Sequence, residues 1–228
     1  MSRREHTSQH YEQQLRKLKD RLLVMGDKVE TALQDAMRSL VDRRPSLANQ
    51  VIERDDEIDR MEIEVDDLCL ETLALEQPVA SDLRFLAAVL KIVRDLERIG
   101  DIGENISARV VELLAEPELK PLIDLPIMGR NAQESLRRSL DALVNGDAEL
   151  AERVIDEDVQ LDYMYEQIFR ELLTYMLEDP HTTSRCLKLI FIAKGLERVG
   201  DHAVNIAEMV VFLVRGKDIR HGTSADSG

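Results

Sequence analysis

The sequence predicts an all-α protein built as two tandem three-helix bundles, and three observations lead to this prediction. The composition suits long amphipathic helices, since 33% of the 228 residues are charged and only 4% are aromatic, whereas β-sheets favour aromatic and β-branched residues. Apolar residues recur at three- and four-residue steps over long stretches, which is helical spacing. Finally, Leu-Glu-Arg-Ile-Gly-Asp at 96–101 returns as Leu-Glu-Arg-Val-Gly-Asp at 196–201, which indicates a tandem duplication.

The duplication extends well upstream of this hexapeptide. When the chain is shifted by 103 residues against itself, apolar positions of residues 25–61 coincide with those of residues 128–164. At the hexapeptide the offset is 100, so the repeats differ by three residues near the end of the second helix. Chain ends that nothing ties down are commonly disordered. The predicted boundaries are 10–116 for the first repeat, 122–216 for the second, and disordered tails at 1–9 and 217–228.

Three helices are predicted in the first repeat. Apolar periodicity marks the first helix over 15–40. Ser46 is a suitable N-cap for the second helix, which ends near Pro78. Ser81 or Asp82 can cap the third helix, and a linker containing Pro117 follows.

Three helices are also predicted in the second repeat, over 124–145, 147–178 and 182–215. The Asn-Gly-Asp sequence at 145–147 is typical of a turn followed by a capping residue. Thr182 or Thr183 can cap the last helix. Two arrangements are open: bundles packed side by side, or one elongated six-helix body.

Charge, cysteine content and hydropathy narrow the classes of function. The formal net charge of −15 disfavours nucleic-acid binding, which requires Lys and Arg to neutralise phosphates. An acidic chain attracts metal cations and basic protein surfaces, although acidity also simply confers solubility. The two cysteines show no metal or redox spacing, which fits a reducing cytoplasm. With a polar N-terminus and no long apolar run, we expect neither a signal peptide nor a membrane span, and a cytoplasmic location.

Pairs of acidic residues four positions apart recur in both repeats, and on a helix that spacing places both carboxylates on one face. The first repeat has Asp55 with Asp59 and Glu97 with Asp101, and the second has matching pairs. The acids interrupt apolar stripes, so they are expected to face the bundle. A charge turned inward requires a partner, because burying it alone is very costly.

The two pairs of each repeat are predicted to meet across a helical hairpin. Asp59 and Glu97 are equally distant from Pro78, and so are Asp55 and Asp101. If the second and third helices fold back at this turn, all four acids lie at one level, on axes roughly 8–10 Å apart. The same relation holds in the second repeat, which predicts a four-carboxylate cluster that occurs twice.

Protonation of some carboxylates or bound cations could relieve the repulsion within such a cluster, and bound cations would relieve it best. Arg98 and Arg198 lie next to the acids, but consecutive helical residues do not share a face. The donors are oxygens only, which favours Mg²⁺, Mn²⁺, Ca²⁺ or iron. The alternative is that the acids lie on a splayed, solvated face that binds cations weakly or not at all. The ten candidate metal ligands are Asp55, Asp59, Glu97, Asp101, Asn105, Asp158, Asp162, Glu197, Asp201 and Asn205.

Glycines inside the acidic helices point to close packing. Gly100 and Gly200 each cost about 1 kcal/mol of helix stability relative to Ala. We expect a neighbouring helix or a metal to approach closely at both positions.

Three segments, QPVASDLRF (77–85), DLERIGDIGENI (95–106) and LERVGDHAVNIAEMV (196–210), resemble the PhoU family of phosphate-signalling proteins. The resemblance implies a cytoplasmic, non-enzymatic negative regulator of phosphate uptake and of the phosphate-starvation regulon. It also implies a homodimer that links the ATPase of the phosphate ABC transporter to a phosphate-sensing histidine kinase, and that reaches the membrane only through these partners. Some members carry multinuclear metal clusters on the acidic motifs, and the metal identity varies. The same ten residues match the acidic motifs.

The two clusters need not be equal. His202 stands where the first repeat has Ile102, and Gly195 stands where it has Asp95. These positions flank the hexapeptides, so the two sites are expected to diverge there.

Three other interpretations compete with a metal-binding regulator. One is a helical scaffold without a functional metal. Another is a carboxylate-bridged metal enzyme, but a ferritin-like site would use Glu-x-x-His, and Glu97 and Glu197 are each followed three residues later by glycine. A histidine phosphotransfer bundle would need an exposed helical histidine, for which His202 is the only candidate. We therefore expect no catalysis.

Overall fold

Seven α-helices make up the computed structural model, which describes residues 3–75, 78 and 80–216. These ranges contain no β-strand, and none of their helices combines the length and apolarity needed to cross a membrane. In chain order they are α1 (Arg3–Val41), α2 (Pro45–Leu75), α3 (Ala80–Leu114), α4 (Asp124–Asn145), α5 (Ala148–Glu157), α6 (Val159–Glu178) and α7 (Thr183–Arg215), with a short 3-10 turn at Pro180–Thr182.

The second helix of the second repeat is broken, and the prediction of one helix over 147–178 was wrong in this detail. The break between α5 and α6 lies at Asp158, a candidate ligand. There the N–H of Leu161 donates to the carbonyl of Asp158 at 2.8 Å, a three-residue bond that tightens the turn. The tightening coincides with a close approach of α7 at Gly200. The pair α5–α6 therefore acts as one kinked helix, which preserves three helices per repeat.

The turn predicted at 145–147 is confirmed. Gly146 adopts a left-handed conformation with φ 61°, which glycine accepts without a side-chain clash. The Asp147 side chain accepts a hydrogen bond from the N–H of Leu150 at 2.9 Å and caps α5.

Three other helix starts differ from the prediction. α2 begins at Pro45, ahead of Ser46, because a proline suits the first helical position, where no N–H is needed. α3 likewise begins at Ala80, ahead of the predicted caps. The Thr182 hydroxyl does not cap α7 but donates to the carbonyls of Tyr175 and Asp179, which closes the α6–α7 hairpin.

The chain ends are only partly described. α1 begins at Arg3, within the tail predicted to be disordered. Residues 1–2 and the predicted tail 217–228 lie outside the described residues.

The repeats pack side by side around one continuous core. Within each repeat the three helices, counting α5–α6 as one, contact one another. Between the repeats, α3 packs against α7 and α1 packs against α4. Fully buried residues of one cluster come from both halves, such as Leu18 and Leu96 in the first and Met128 and Leu196 in the second. α2 and α5–α6 are thus the outer helices, each covering one side of a four-helix centre.

Candidate metal centre

Three carboxylates converge in the first repeat between α2 and α3. One oxygen each from Asp55, Asp59 and Asp101 lies within 4.8 Å of the others. The buried Oδ1 of Asp59 has no hydrogen-bond partner. The hairpin register predicted from the sequence is therefore confirmed, because acids equidistant from Pro78 do lie level.

Burial and mutual repulsion both disfavour full ionisation of the first cluster. Burial raises the pKa of Asp55 to about 7, and repulsion from Glu104, Asp59 and Asp101 adds to the effect. Burial also raises the pKa of Glu97, with Asp101 as the next cause. A bound cation would stabilise the ionised form of both carboxylates, because its charge offsets their repulsion and compensates for their burial.

Arg98 neutralises part of the cluster, contrary to our expectation. Its Nε lies 3.3 Å from Oε2 of Glu97, and its Nη1 lies 3.0 Å from Oδ2 of Asp101. The face argument was wrong here because the long arginine side chain reaches around the helix surface. Arg98 is half-exposed, so it lies at the solvent edge of the cluster.

Two further acids of the first repeat were missed by the sequence analysis. Glu104 is the strongest charge acting on Asp55, and Glu62 raises the pKa of Glu97. Each follows a predicted ligand by three residues, so extending the helical spacing by one turn would have found them. Their counterparts in the second repeat are Val204 and Tyr165, so the first cluster is the more acidic.

The second cluster is more open. Burial raises the pKa of Asp158 to about 6, and Asp201, Asp162 and Glu197 contribute, in that order, which shows that the four acids share one region. Asp162 and Asp201 are exposed, and the Lys194 ammonium lies 2.5 Å from Glu197. Oδ1 of Asp158 and Oε2 of Glu197 are buried without partners. Within the described residues, only the first repeat brings three ligand atoms into one compact group.

The hexapeptide glycines leave space for Asp55 and Asp158. The close approach of a neighbouring helix expected at both glycines is confirmed. A Cβ at Gly200 would lie 2.5 Å from Oδ1 of Asp158 and 2.6 Å from Cδ1 of Leu161. At Gly100 it would lie 3.1 Å from Cγ2 of Ile58 and 3.3 Å from Oδ1 of Asp55. Both glycines therefore allow the outer helix to approach the acidic helix closely.

Both candidate asparagines are exposed, and their amide nitrogens are engaged elsewhere. Nδ2 of Asn105 donates to the backbone carbonyl of Asp101 at 2.7 Å. Nδ2 of Asn205 donates to Oδ1 of Asp95, in the other repeat, at 3.0 Å. A ligand role for either amide oxygen stays a prediction.

A polar link joins the repeats where the two sequences diverge. Nδ1 of His202 lies 2.8 Å from the same Asp95 oxygen that accepts from Asn205. Asp95 on α3 thus binds two side chains of α7. The equivalent link on the other side is missing, because Gly195 and Ile102 occupy the matching positions.

In each repeat an ion pair joins the first helix to the outer helix, close to the carboxylate cluster. In the first repeat Nη1 of Arg54 lies 3.6 Å from Oδ2 of Asp35. In the second, Arg138 pairs with Glu157. The charges are exchanged between the repeats: the first helix carries the acid in one and the base in the other.

The donor set of the first cluster fits a hard cation. It offers carboxylate oxygens only, one of them buried without a partner, and its acids repel one another. Asp55, Asp59 and Asp101 would hold the ion, with Glu97 and Glu104 beside it. The ion would supply charge neutralisation and would clamp α2 to α3.

Comparison with known proteins agrees with this architecture. The model of the PhoU domain matches residues 22–110 and 125–210. A phosphate-specific transport system accessory protein PhoU homolog of Pseudomonas aeruginosa is 43% identical over 217 residues, which cover 95% of this chain and 90% of that protein. The PhoU accessory protein of Escherichia coli K12 is 36% identical over 216 residues, 95% of this chain and 90% of that one.

Solved structures show the same fold. The crystal structure of PhoU from Pseudomonas aeruginosa superposes with a TM-score of 0.89 at 42% identity and covers 91% of this chain and all of that one, 100%. The phosphate transport system regulatory protein PhoU from Streptococcus pneumoniae gives 0.84 at 26% identity, over 92% and 100% of the two chains. Because both matched stretches coincide with the two helical repeats and the relatives span nearly the whole chain, this protein belongs to the PhoU family.

Proposed function

We propose that this protein is an accessory regulator of a phosphate transport system and that it acts by docking on partners rather than by catalysis. The observation that carries this proposal is the match of both helical repeats to relatives named for such a system, at 36% to 43% identity. The finer proposal is that it docks on the ATPase of a phosphate ABC transporter and on a sensor histidine kinase. It thereby represses the phosphate-starvation response when phosphate is plentiful, as a homodimer in the cytoplasm.

A capture experiment tests the docking proposal. The tagged full-length chain is used to capture the purified transporter ATPase and the purified kinase, at high and at low phosphate. We expect at least one partner to be retained in a phosphate-dependent manner. An ABC ATPase from an unrelated transporter is the control and should not be retained. Failure to retain either partner at both phosphate levels would contradict the proposal.

We further propose that the carboxylate clusters bind oxygen-seeking cations of the Mg²⁺, Mn²⁺, Ca²⁺ or iron type. The converging oxygens of the first cluster and the unpartnered buried oxygens of both clusters support this proposal. Protein purified without chelator is expected to contain at least one ion per chain by elemental analysis. Adding the ion to metal-free protein should raise the melting temperature. A free-ion concentration of 100 times the Kd stabilises the folded state by about 2.7 kcal/mol.

Two variants test whether the metal is bound at the carboxylate clusters. Asp55→Asn is expected to lower the metal content and to abolish most of the thermal shift. Asp56→Asn, which changes the exposed neighbouring carboxylate, is the matched control and should change neither. Metal content below about one ion per chain with an unchanged melting temperature in EDTA would contradict the metal proposal. If the stripped protein then still retained its partners, the scaffold alternative would stand.

A further inference from the structure

We propose that a cavity between α3 and α7, lined by basic side chains, binds a doubly charged tetrahedral oxyanion of the phosphate type. The cavity has a volume of about 240 Å³. One water molecule takes about 30 Å³ of liquid volume, so the cavity has room for such an anion with water around it. Its polar wall is formed by Asn105, Arg109, Lys194 and Arg198, beside Gly195 and Phe191.

The duplication is imperfect at one position in the wall of this cavity, Gly195. In the other half of the molecule, the Asp95 carboxylate accepts hydrogen bonds from α7 across the helix interface. On this side the equivalent residue is Gly195, which has no side chain. The carboxylate that α3 supplies in one half is therefore missing in the other, where Ile102 and Ile106 pack against Gly195. An anion in the adjoining cavity would be the chemical equivalent of the missing group.

The asparagine that faces this space is suited to an anion. In the other half Asn205 donates its amide N–H to the Asp95 carboxylate at 3.0 Å. Its counterpart Asn105 uses one N–H for the backbone carbonyl of Asp101. An amide group has two N–H donors, so Asn105 retains one for a ligand.

The charges around the cavity favour an anion, although the chain as a whole has a net charge of −15. Arg198 forms no ion pair in the part of the chain that the structure describes. Arg109 is paired with Glu112 at 2.8 Å and lies over the Phe191 ring at 5.7 Å. Lys194 is paired with Glu197. Asp201 also acts on Lys194, so Arg198 is the cation of this wall without a carboxylate partner in the described residues. Arginine presents a planar fork of donors that matches a phosphate.

This site adjoins the carboxylate clusters, since Asn105 is also a candidate metal ligand and Lys194 pairs with Glu197. It has a different donor set and does not rest on the docking proposal. Its ligand would be held by cations and an amide, whereas the clusters offer carboxylates to a metal. A negative result here would leave the docking and metal proposals standing.

Isothermal titration of the full-length, chelator-treated protein tests the proposal. Inorganic phosphate and glycerol 3-phosphate are titrated separately, at ionic strength matched with chloride. Binding of phosphate would identify a free anion as the ligand, and binding of glycerol 3-phosphate alone would identify a phosphate ester. Absence of binding by the wild-type protein with both compounds would overturn the proposal.

Gly195→Asp and Gly195→Ala form a matched pair. A Cβ at this position would lie 3.2 Å from Cγ2 of Ile102 and 3.3 Å from Cγ1 of Ile106, so both variants require the same small shift of two isoleucines. Only the aspartate also places a carboxylate in the cavity. We expect Gly195→Ala to bind within about threefold of wild type and Gly195→Asp to bind at least about tenfold more weakly.

Arg198→Gln removes a surface charge without changing the packing and should weaken binding by about tenfold as well. Equal affinities of Gly195→Asp and Gly195→Ala, or full affinity of Arg198→Gln, would overturn the proposal. Circular dichroism of each variant checks that the helices remain folded.

Discussion

At each contact between the outer helix and the acidic helix, one glycine and one carboxylate depend on each other for space. Each hexapeptide glycine leaves the space that a carboxylate of the outer helix occupies, Asp55 in one repeat and Asp158 in the other. The glycine therefore contributes to the site without offering a ligand. The short hexapeptide encodes both the acids and the space that their partners need.

Gly200→Ala should destabilise the protein by about 1–3 kcal/mol, because the added methyl group overlaps Asp158 and Leu161. Urea unfolding followed by circular dichroism measures the change. Gly103→Ala is the control, since its Cβ would meet the nearest atom of α1 only at 3.8 Å. That variant should gain up to about 1 kcal/mol from helix propensity. Equal destabilisation by both substitutions would show that packing at Gly200 is not the cause.

The raised pKa of Asp55 predicts a pH dependence of stability in the metal-free protein. Its pKa is about 7 in the folded state against an ordinary value of 3.8. The folded state therefore binds this proton more tightly, and the stability it contributes is fully present below the ordinary pKa and lost as pH rises through 7.

We therefore expect Asp55→Asn in EDTA to be more stable than wild type, with a difference that grows from about pH 5 to about pH 8. Melting temperatures of both proteins at the two pH values measure this difference. Comparing the two proteins removes the contribution of carboxylates far from Asp55, and relief of repulsion on its neighbours acts in the same direction. A difference that is constant or shrinks with pH would contradict the prediction.

At the scale of elements, each outer helix is fixed to the first helix of its repeat by an ion pair close to the acids. Asp35 with Arg54 and Arg138 with Glu157 occupy equivalent positions with exchanged charges. Both pairs lie at the surface, where a single pair contributes little, so their value lies in positioning the outer helix.

Giving the Arg138–Glu157 pair the charge order of the Asp35–Arg54 pair tests whether the ion pair positions the outer helix. Arg138→Asp alone places two acids side by side and should cost about 1 kcal/mol of stability. Adding Glu157→Arg recreates the Asp35–Arg54 order and should recover most of the loss. Urea unfolding of the two single variants and the double variant measures the coupling. A double variant no more stable than Arg138→Asp would refute it.

The sequence predicted the helices and the carboxylate convergence well, since both follow from spacing. Apolar periodicity defined the core faces, and equal distances from Pro78 defined which acids lie level. It did not predict the break at Asp158, because a local 3-10 turn depends on how closely α7 packs there. It also misjudged Arg98, since the reach of a flexible side chain is not a property of helical spacing.

At the scale of the whole molecule, the two repeats are not independent bundles. Ile99 and Ile102 of α3 and Val199 and Ile206 of α7 are buried in one core that both repeats share. Separating the repeats would expose these residues to water, at a cost of roughly 25 cal/mol per Å².

A fragment limited to residues 1–120 should therefore be far less stable than the intact chain and prone to associate. Co-expression of residues 1–120 with residues 121–228 should restore a folded complex, because the shared core can form between two chains. Size-exclusion chromatography and thermal unfolding report both results. A monomeric first half that unfolds at the temperature of the intact protein would contradict the shared core.

The exchanged ion pairs have a consequence for folding fidelity. A chain made of two similar halves has a competing fold in which the outer helices change places. In that mispaired state Asp35 would face Glu157, and Arg54 would face Arg138. Like charges would meet at both contacts, whereas opposite charges meet at both in the native state. Because the charges are reversed between the repeats, a fold with the outer helices interchanged has two repulsive contacts. The two repeats can therefore keep similar cores, while each outer helix still packs against its own repeat.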